Sequence, residues 1–147
     1  MTITPIESRL SVSGQPNEAE IADLSTKGFA LLINNRPEGE EPDQLGSAAE
    51  AAAAEAAGLA YLHIPVTGPG ITHEDVARFR EAVESAPGPV LAHCRSGSRS
   101  LTLWALSEVL AGRLRRDDLL AYGRERGFDL SGAVRWLDTH GDTPDGT

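Results

Sequence analysis

The 147-residue chain is poor in several things at once. It has a single cysteine, Cys94, which excludes an internal disulfide, a multi-cysteine zinc site and an iron–sulfur cluster. Aromatic residues make up only 5% of it, and no apolar run approaches the roughly 20 residues that span a bilayer. The opening stretch MTITPIESR lacks the apolar core of a signal peptide. Positive charge is scarce too: 13 basic residues against 22 acidic ones give a net charge of -9, which argues against a nucleic-acid or anionic-membrane binder. What is present is ordinary for one globular domain, with 40% hydrophobic and 24% charged residues. The expectation is a soluble cytoplasmic protein with no cofactor.

The charge is uneven. Residues 1–92 carry 5 basic and 14 acidic side chains, whereas residues 93–135 carry 8 basic and 5 acidic, all eight being arginines. The only basic stretch of the chain therefore contains its only cysteine. Arginine presents a planar fork of donors suited to oxyanions, although most of the eight, such as Arg113, Arg115, Arg116, Arg124 and Arg126, read as solvated helix faces.

Apolar runs alternate with helical segments. Leu10 and Val12 have the period of a half-exposed strand and end at Ser13-Gly14-Gln15-Pro16. Asn17 with Glu20 forms a capping-box pattern, with Ile21 and Leu24 on the buried face and Gly28 closing the helix. A second strand is expected over 29–33, an alanine-rich helix over 44–57 closed by Gly58, and a third strand over 60–64. Thr72 to Asp75 starts another helix, 89–92 is a fourth strand, and helices are expected near 98–110, 117–126 and 131–139. This order implies an α/β fold: one domain over residues 2–140, a mainly parallel sheet of four to five strands with helices on both faces, and a flexible tail over 141–147. Ligands of such sheets sit beyond the carboxyl ends of the strands, which places Ser13–Gln15, Asn34–Arg36, Val66–Gly70 and Cys94–Arg99 along one edge.

The fourth strand delivers the chain into His93-Cys94-Arg95-Ser96-Gly97-Ser98-Arg99-Ser100, immediately before a helix. Small residues between a strand end and a helix N-terminus can aim several backbone N–H groups into one concavity, an anion site. The same field favours thiolate over thiol, so Cys94 is expected as a nucleophile. Gly97 permits a backbone conformation closed to other residues. Arg99 can grip an oxyanion, the amides of Arg95, Ser96, Gly97 and Ser98 can bind it, and Ser100 can donate to the sulfur. His93 is expected to hold the loop from inside, and Arg36 either to neutralise substrate charge or to form a structural salt bridge. His63, His73 and His140 show no metal-ligand spacing with Cys94, so no metal is expected.

His-Cys followed by a small-residue loop and Arg-Ser resembles the signature of cysteine-dependent phosphatases, with four residues rather than five between Cys94 and Arg99. Ser13-Gly14-Gln15-Pro16, Ile33-Asn34-Asn35-Arg36-Pro37, His63-Ile64-Pro65-Val66 and Leu103-Trp104-Ala105 extend the likeness to the phosphatase-like domain of beta-lactamase-hydrolase-like proteins. The resemblance implies a cysteine-phosphatase fold and an activity described both as phosphatase-like and as rhodanese-type sulfur transfer. Larger relatives carry a fused persulfide dioxygenase, for which this chain has no histidine-rich metal motif. In small dual-specificity phosphatases an aspartate closely follows a Pro-Val pair like Pro65-Val66. Thr67-Gly68-Pro69-Gly70 stands here instead, and Glu74 and Asp75 read as helix caps.

A missing acid and a short loop suit sulfur transfer, so the expectation is a rhodanese-like sulfurtransferase working through a Cys94 persulfide. A phosphatase working through a phosphocysteine, and a non-catalytic anion- or phosphopeptide-binding module, are the alternatives. The expected partners are a small anion (thiosulfate, a persulfide or a phosphoester) and a thiol acceptor, and a homodimer is compatible with the sequence.

Overall fold

A computed structural model describes residues 1–143, so the expected tail lies in part, at 144–147, outside the described residues. Five strands form one sheet: β1 (Ile3–Glu7), β2 (Leu10–Ser13), β3 (Leu31–Asn34), β4 (Ala60–His63) and β5 (Val90–His93), in the order β1-β2-β5-β3-β4. The four strands from β2 onward are mutually parallel. β1, which periodicity left unassigned, pairs antiparallel with β2 as a hairpin. Pro5 lies in it without penalty because an edge strand has one side free of pairing.

Six helices cover the sheet: α1 (Glu18–Leu24), α2 (Ser47–Ala56), α3 (His73–Ser85), α4 (Ser98–Leu110), α5 (Leu119–Glu125) and α6 (Ser131–His140). Alternation along the strands divides their side chains between two cores. Leu31, Ile33, Val90 and Ala92 join Phe79, Leu101, Leu103 and Trp104 of α3 and α4. Leu32 and Leu91 point the other way, against Ile21, Leu24 and Ala54 of α1 and α2.

Local signals match in detail. Asn17 and Thr72 each make both bonds of a capping box, with Glu20 and Asp75. Gly28 and Gly58 take left-handed φ of 94° and 76° after α1 and α2. α2 begins later than its composition implies, at Ser47, where the Glu38 carboxylate accepts the Ser47 N–H at 2.7 Å. The second strand begins at Leu31 rather than Phe29, because Phe29 closes the turn after α1 through its N–H to the Leu24 carbonyl.

Candidate active site

Parallel register brings the strand ends together: Ser13 and Asn34 both lie opposite His93, and His63 lies opposite Asn34. The four segments following these strands therefore emerge at one edge, as expected. They are bonded directly. Cys94 N–H donates to the Ser13 carbonyl at 3.3 Å, Asn35 N–H to the His93 carbonyl at 2.8 Å, and Val66 N–H to the Asn35 carbonyl at 3.0 Å.

Cys94 sits at the base of the loop, 1% exposed. The Gly97 N–H donates to its sulfur at 3.0 Å. Gly97 has φ of 100° and precedes the first turn of α4, and a Cβ there would sit 3.3 Å from the Phe128 ring. Glycine is thus needed both for conformation and for room. Gly14 has a related duty: a Cβ on it would lie 2.9 Å from the Arg95 carbonyl. The turn after β2 packs backbone against backbone on the cysteine loop, which a local reading of Gly14 as a turn residue does not reveal.

His93 holds the loop from behind and is fully buried, as is its partner Glu50 of α2. Nε2 lies 2.7 Å from Glu50 Oε1, and Nδ1 lies 3.2 Å from the Cys94 carbonyl. A carbonyl only accepts, so Nδ1 carries a proton. The Glu50–Nε2 contact then holds one further proton, giving either imidazolium with carboxylate or imidazole with carboxylic acid. Both forms are neutral as a pair, as complete burial demands. The other Glu50 oxygen accepts from Gln15 Nε2 at 2.8 Å, and Gln15 Oε1 accepts from Arg36 at 3.1 Å.

Arg36 makes the expected kind of salt bridge. Only 2% exposed, it bonds Glu40 at 2.8 Å and Glu41 at 2.6 Å. Arg99, in the first turn of α4, bonds Glu40 through both terminal nitrogens at 2.7 and 2.9 Å and the Val66 carbonyl at 3.0 Å. The hydrogen bond from Glu40, followed by the electrostatic contribution of Cys94, holds the Arg99 charge in place and pushes its pKa up. In return, the hydrogen bonds from Arg99 and then Arg36 bring Glu40 down to about 2.

One expectation about the loop is corrected. Ser100 does not donate to the sulfur: its buried hydroxyl donates to Asn35 Oδ1 at 2.7 Å, because Asn35, itself tied to the Ile64 carbonyl, stands closer in line. The Arg95 side chain is 68% exposed and turns outward to Glu41 at 3.1 Å. Ser96 Oγ caps Ser98 N–H, at 3.5 Å. Cys94, Arg99, Gly97 and His93 are brought together; Glu50, Gln15, Glu40 and Asn35 are the partners that sequence reasoning missed. Glu50 had a faint signal, as a charged residue in an alanine helix four positions before buried Ala54.

Of the candidate proton donors, Asp75 and Asp129 are each held by a backbone N–H. Asp75 Oδ2 accepts the Thr72 N–H at 2.9 Å, and Glu74 lies beside it in the first turn of α3. Asp129 accepts the Ser131 N–H at 2.9 Å, a bond that lowers its pKa. Among the described residues no group of three or more His, Cys, Asp or Glu could hold a metal, and no helix is long and apolar enough to cross a membrane.

The family model for the phosphatase-like domain of beta-lactamase hydrolase-like proteins matches residues 2–111. A beta-lactamase hydrolase-like protein of Xylella fastidiosa (strain 9a5c) is 50% identical over 138 residues, covering 94% of this chain and 32% of the relative. One of Agrobacterium fabrum (strain C58) is 48% identical with the same coverage. The chain thus spans about a third of the length of these curated relatives. A solved structure from Neisseria meningitidis Z2491, presented as a candidate phosphatase, is 32% identical with a TM-score of 0.83, covering 94% of this chain and 97% of that one. Tk-PTP in its active form (23% identical, TM-score 0.70, covering 92% of this chain and 93% of that one) shares the fold. A fold built around a cysteine loop, a family match over three-quarters of its length and half-identical relatives make this chain a member of the phosphatase-like domain family of beta-lactamase hydrolase-like proteins.

Proposed function

We propose that the chain is a cysteine-dependent phosphatase-type enzyme for oxyanions whose leaving group departs as a stable anion. The observation that carries this reading is the pairing of Cys94, with the Gly97 N–H on its sulfur, with a surround in which Glu40, Asp75 and Asp129 are each already engaged. Cys94 attacks as thiolate, the Gly97 amide and Arg99 stabilise charge on the oxyanion, and the leaving group takes the electron pair without a proton. The anion must share or displace Glu40 on Arg99.

Hydrolysis of an activated phosphoester is the reading that the family and the Neisseria structure support. The thiolate forms a Cys94–phosphorus bond as the ester P–O bond breaks, and water then releases phosphate. This reverses the order of preference reached from the sequence. Sulfur transfer stands second, favoured by the same engagement of these carboxylates and by the four-residue loop. There the thiolate takes the outer sulfur of thiosulfate, the S–S bond breaks, sulfite leaves, and an external thiol accepts the sulfur.

One pair of assays separates them, on wild type and Cys94→Ser. Aryl phosphates of falling phenol pKa should be hydrolysed increasingly fast, with all activity lost in Cys94→Ser. Intact mass distinguishes the covalent states: about 80 Da added for phosphocysteine, or about 32 Da for a persulfide after thiosulfate. Alkyl and aryl phosphates cleaved at equal rates would overturn the leaving-group reading. Thiocyanate formation from thiosulfate and cyanide in a protein inert to phosphoesters would put sulfur transfer first. Anion binding with neither activity would leave a binding module.

A further inference from the structure

Beside the cysteine loop opens a cleft of about 590 Å³ that shares Ser98 and Arg99 with it. Its volume is that of a small-molecule site, far larger than a lone tetrahedral anion needs. One wall is α4, through Thr102, a turn beyond Ser98. The other is a single face of α6 carrying Arg135, Trp136, Thr139 and His140.

The groups on that face are differently employed. The Trp136 indole N–H donates to the Ile71 carbonyl at 2.8 Å, anchoring α6. His140 stacks on Trp136, with ring centres 4.0 Å apart, and its Nδ1–H donates to the Trp136 carbonyl at 2.9 Å. Arg135 makes no ion pair among the described residues. The cleft's carboxylate, Asp129, feels Arg135 electrostatically but spends its oxygen on the Ser131 N–H. Of the two arginines that line the cleft, Arg99 is paired with Glu40, whereas Arg135 has no carboxylate partner among the described residues.

We propose that this cleft holds the part of the substrate that is not transferred, and that Arg135 binds a second acidic group on it, a carboxylate or a phosphate. The inference rests on the reading of the Cys94 loop as the oxyanion site, and it makes the substrate class doubly acidic. A planar guanidinium suits either group through paired N–H donors.

The test is calorimetric binding to the full chain carrying Cys94→Ser, which cannot turn substrate over. The probes are phenyl phosphate, 4-carboxyphenyl phosphate and benzene-1,4-bisphosphate. At least one doubly acidic probe should bind about tenfold more tightly than phenyl phosphate, an advantage of the size a charge-assisted contact supplies. Whichever probe shows it identifies the second group. The ratio should fall to about one in Arg135→Ala and be partly restored by Arg135→Lys, with the exposed position leaving the fold intact. Phenyl phosphate binding as well as both doubly acidic probes, or a ratio that survives Arg135→Ala, overturns this inference and leaves the oxyanion reading standing. If none of the three binds, the oxyanion reading fails and this inference falls with it.

Discussion

Glu50 and His93 show how far a single buried pair can reach. Both are fully buried, and only a second proton on the pair satisfies the carbonyl facing Nδ1 and the carboxyl facing Nε2. As imidazolium and carboxylate, the pair would set a positive ring against the Cys94 carbonyl. In Glu50→Gln the side-chain amide can donate to Nε2, which leaves a neutral ring protonated on Nδ1. Alkylation of Cys94 by iodoacetamide at pH 7 should then slow by about tenfold, on the scale of one nearby charge. An unchanged rate would assign the pair to its imidazole and carboxylic-acid form. Glu50→Ala leaves His93 Nε2 without its buried partner and should cost about 3–5 kcal/mol, measurable by urea unfolding. The loop beside the pair was legible in sequence because strand end, cysteine, glycine and arginine are consecutive. Glu50 was not, since its partner lies 43 positions away and only folding brings them together.

At the scale of elements, the segment between β3 and α2 does more than connect them. Glu38 caps α2, Glu40 and Glu41 clamp Arg36, and Glu40 also holds Arg99 of α4. An acidic run that reads in sequence as a solvated loop is therefore the counter-charge of Arg36 and Arg99. Its pH dependence has a definite sign. Glu40 is held at about 2 against an ordinary 4.5, so its contribution to stability is complete above about 4.5 and is lost as pH falls through about 2. The wild type should lose stability across that window relative to Glu40→Gln, and acid titrations of the two proteins followed by circular dichroism would show parallel curves if the pairing contributed nothing. The exposed side of this ion pair keeps the effect modest.

Across the whole molecule, β5 is the shared member. It lies between β2 and β3, its Val90 and Ala92 enter one core and its Leu91 the other, and its end carries Cys94. Leu91→Ala should therefore destabilise by about 2–5 kcal/mol while keeping a single unfolding transition. Fluorescence of the two tryptophans in the first core would report it together with far-ultraviolet circular dichroism; non-coincident curves would show that the two faces unfold separately. The order of strands and helices, both capping boxes and the cysteine loop followed from the sequence alone, because each rests on periodicity or on residues a few positions apart. The β1 hairpin escaped, since a strand interrupted by Pro5 has no clear period and is stabilised by its pairing with β2. The lone cysteine excluded an internal disulfide, a multi-cysteine zinc site and an iron–sulfur cluster within this sequence. Only the tertiary structure decided that Ser100 serves Asn35 and not the sulfur, that Arg36 pairs with Glu40 and Glu41, that Glu40 occupies Arg99, and that an α6 face completes a cleft beside the loop. Those are contacts between groups distant along the chain, and their partners are chosen by geometry that local sequence does not encode.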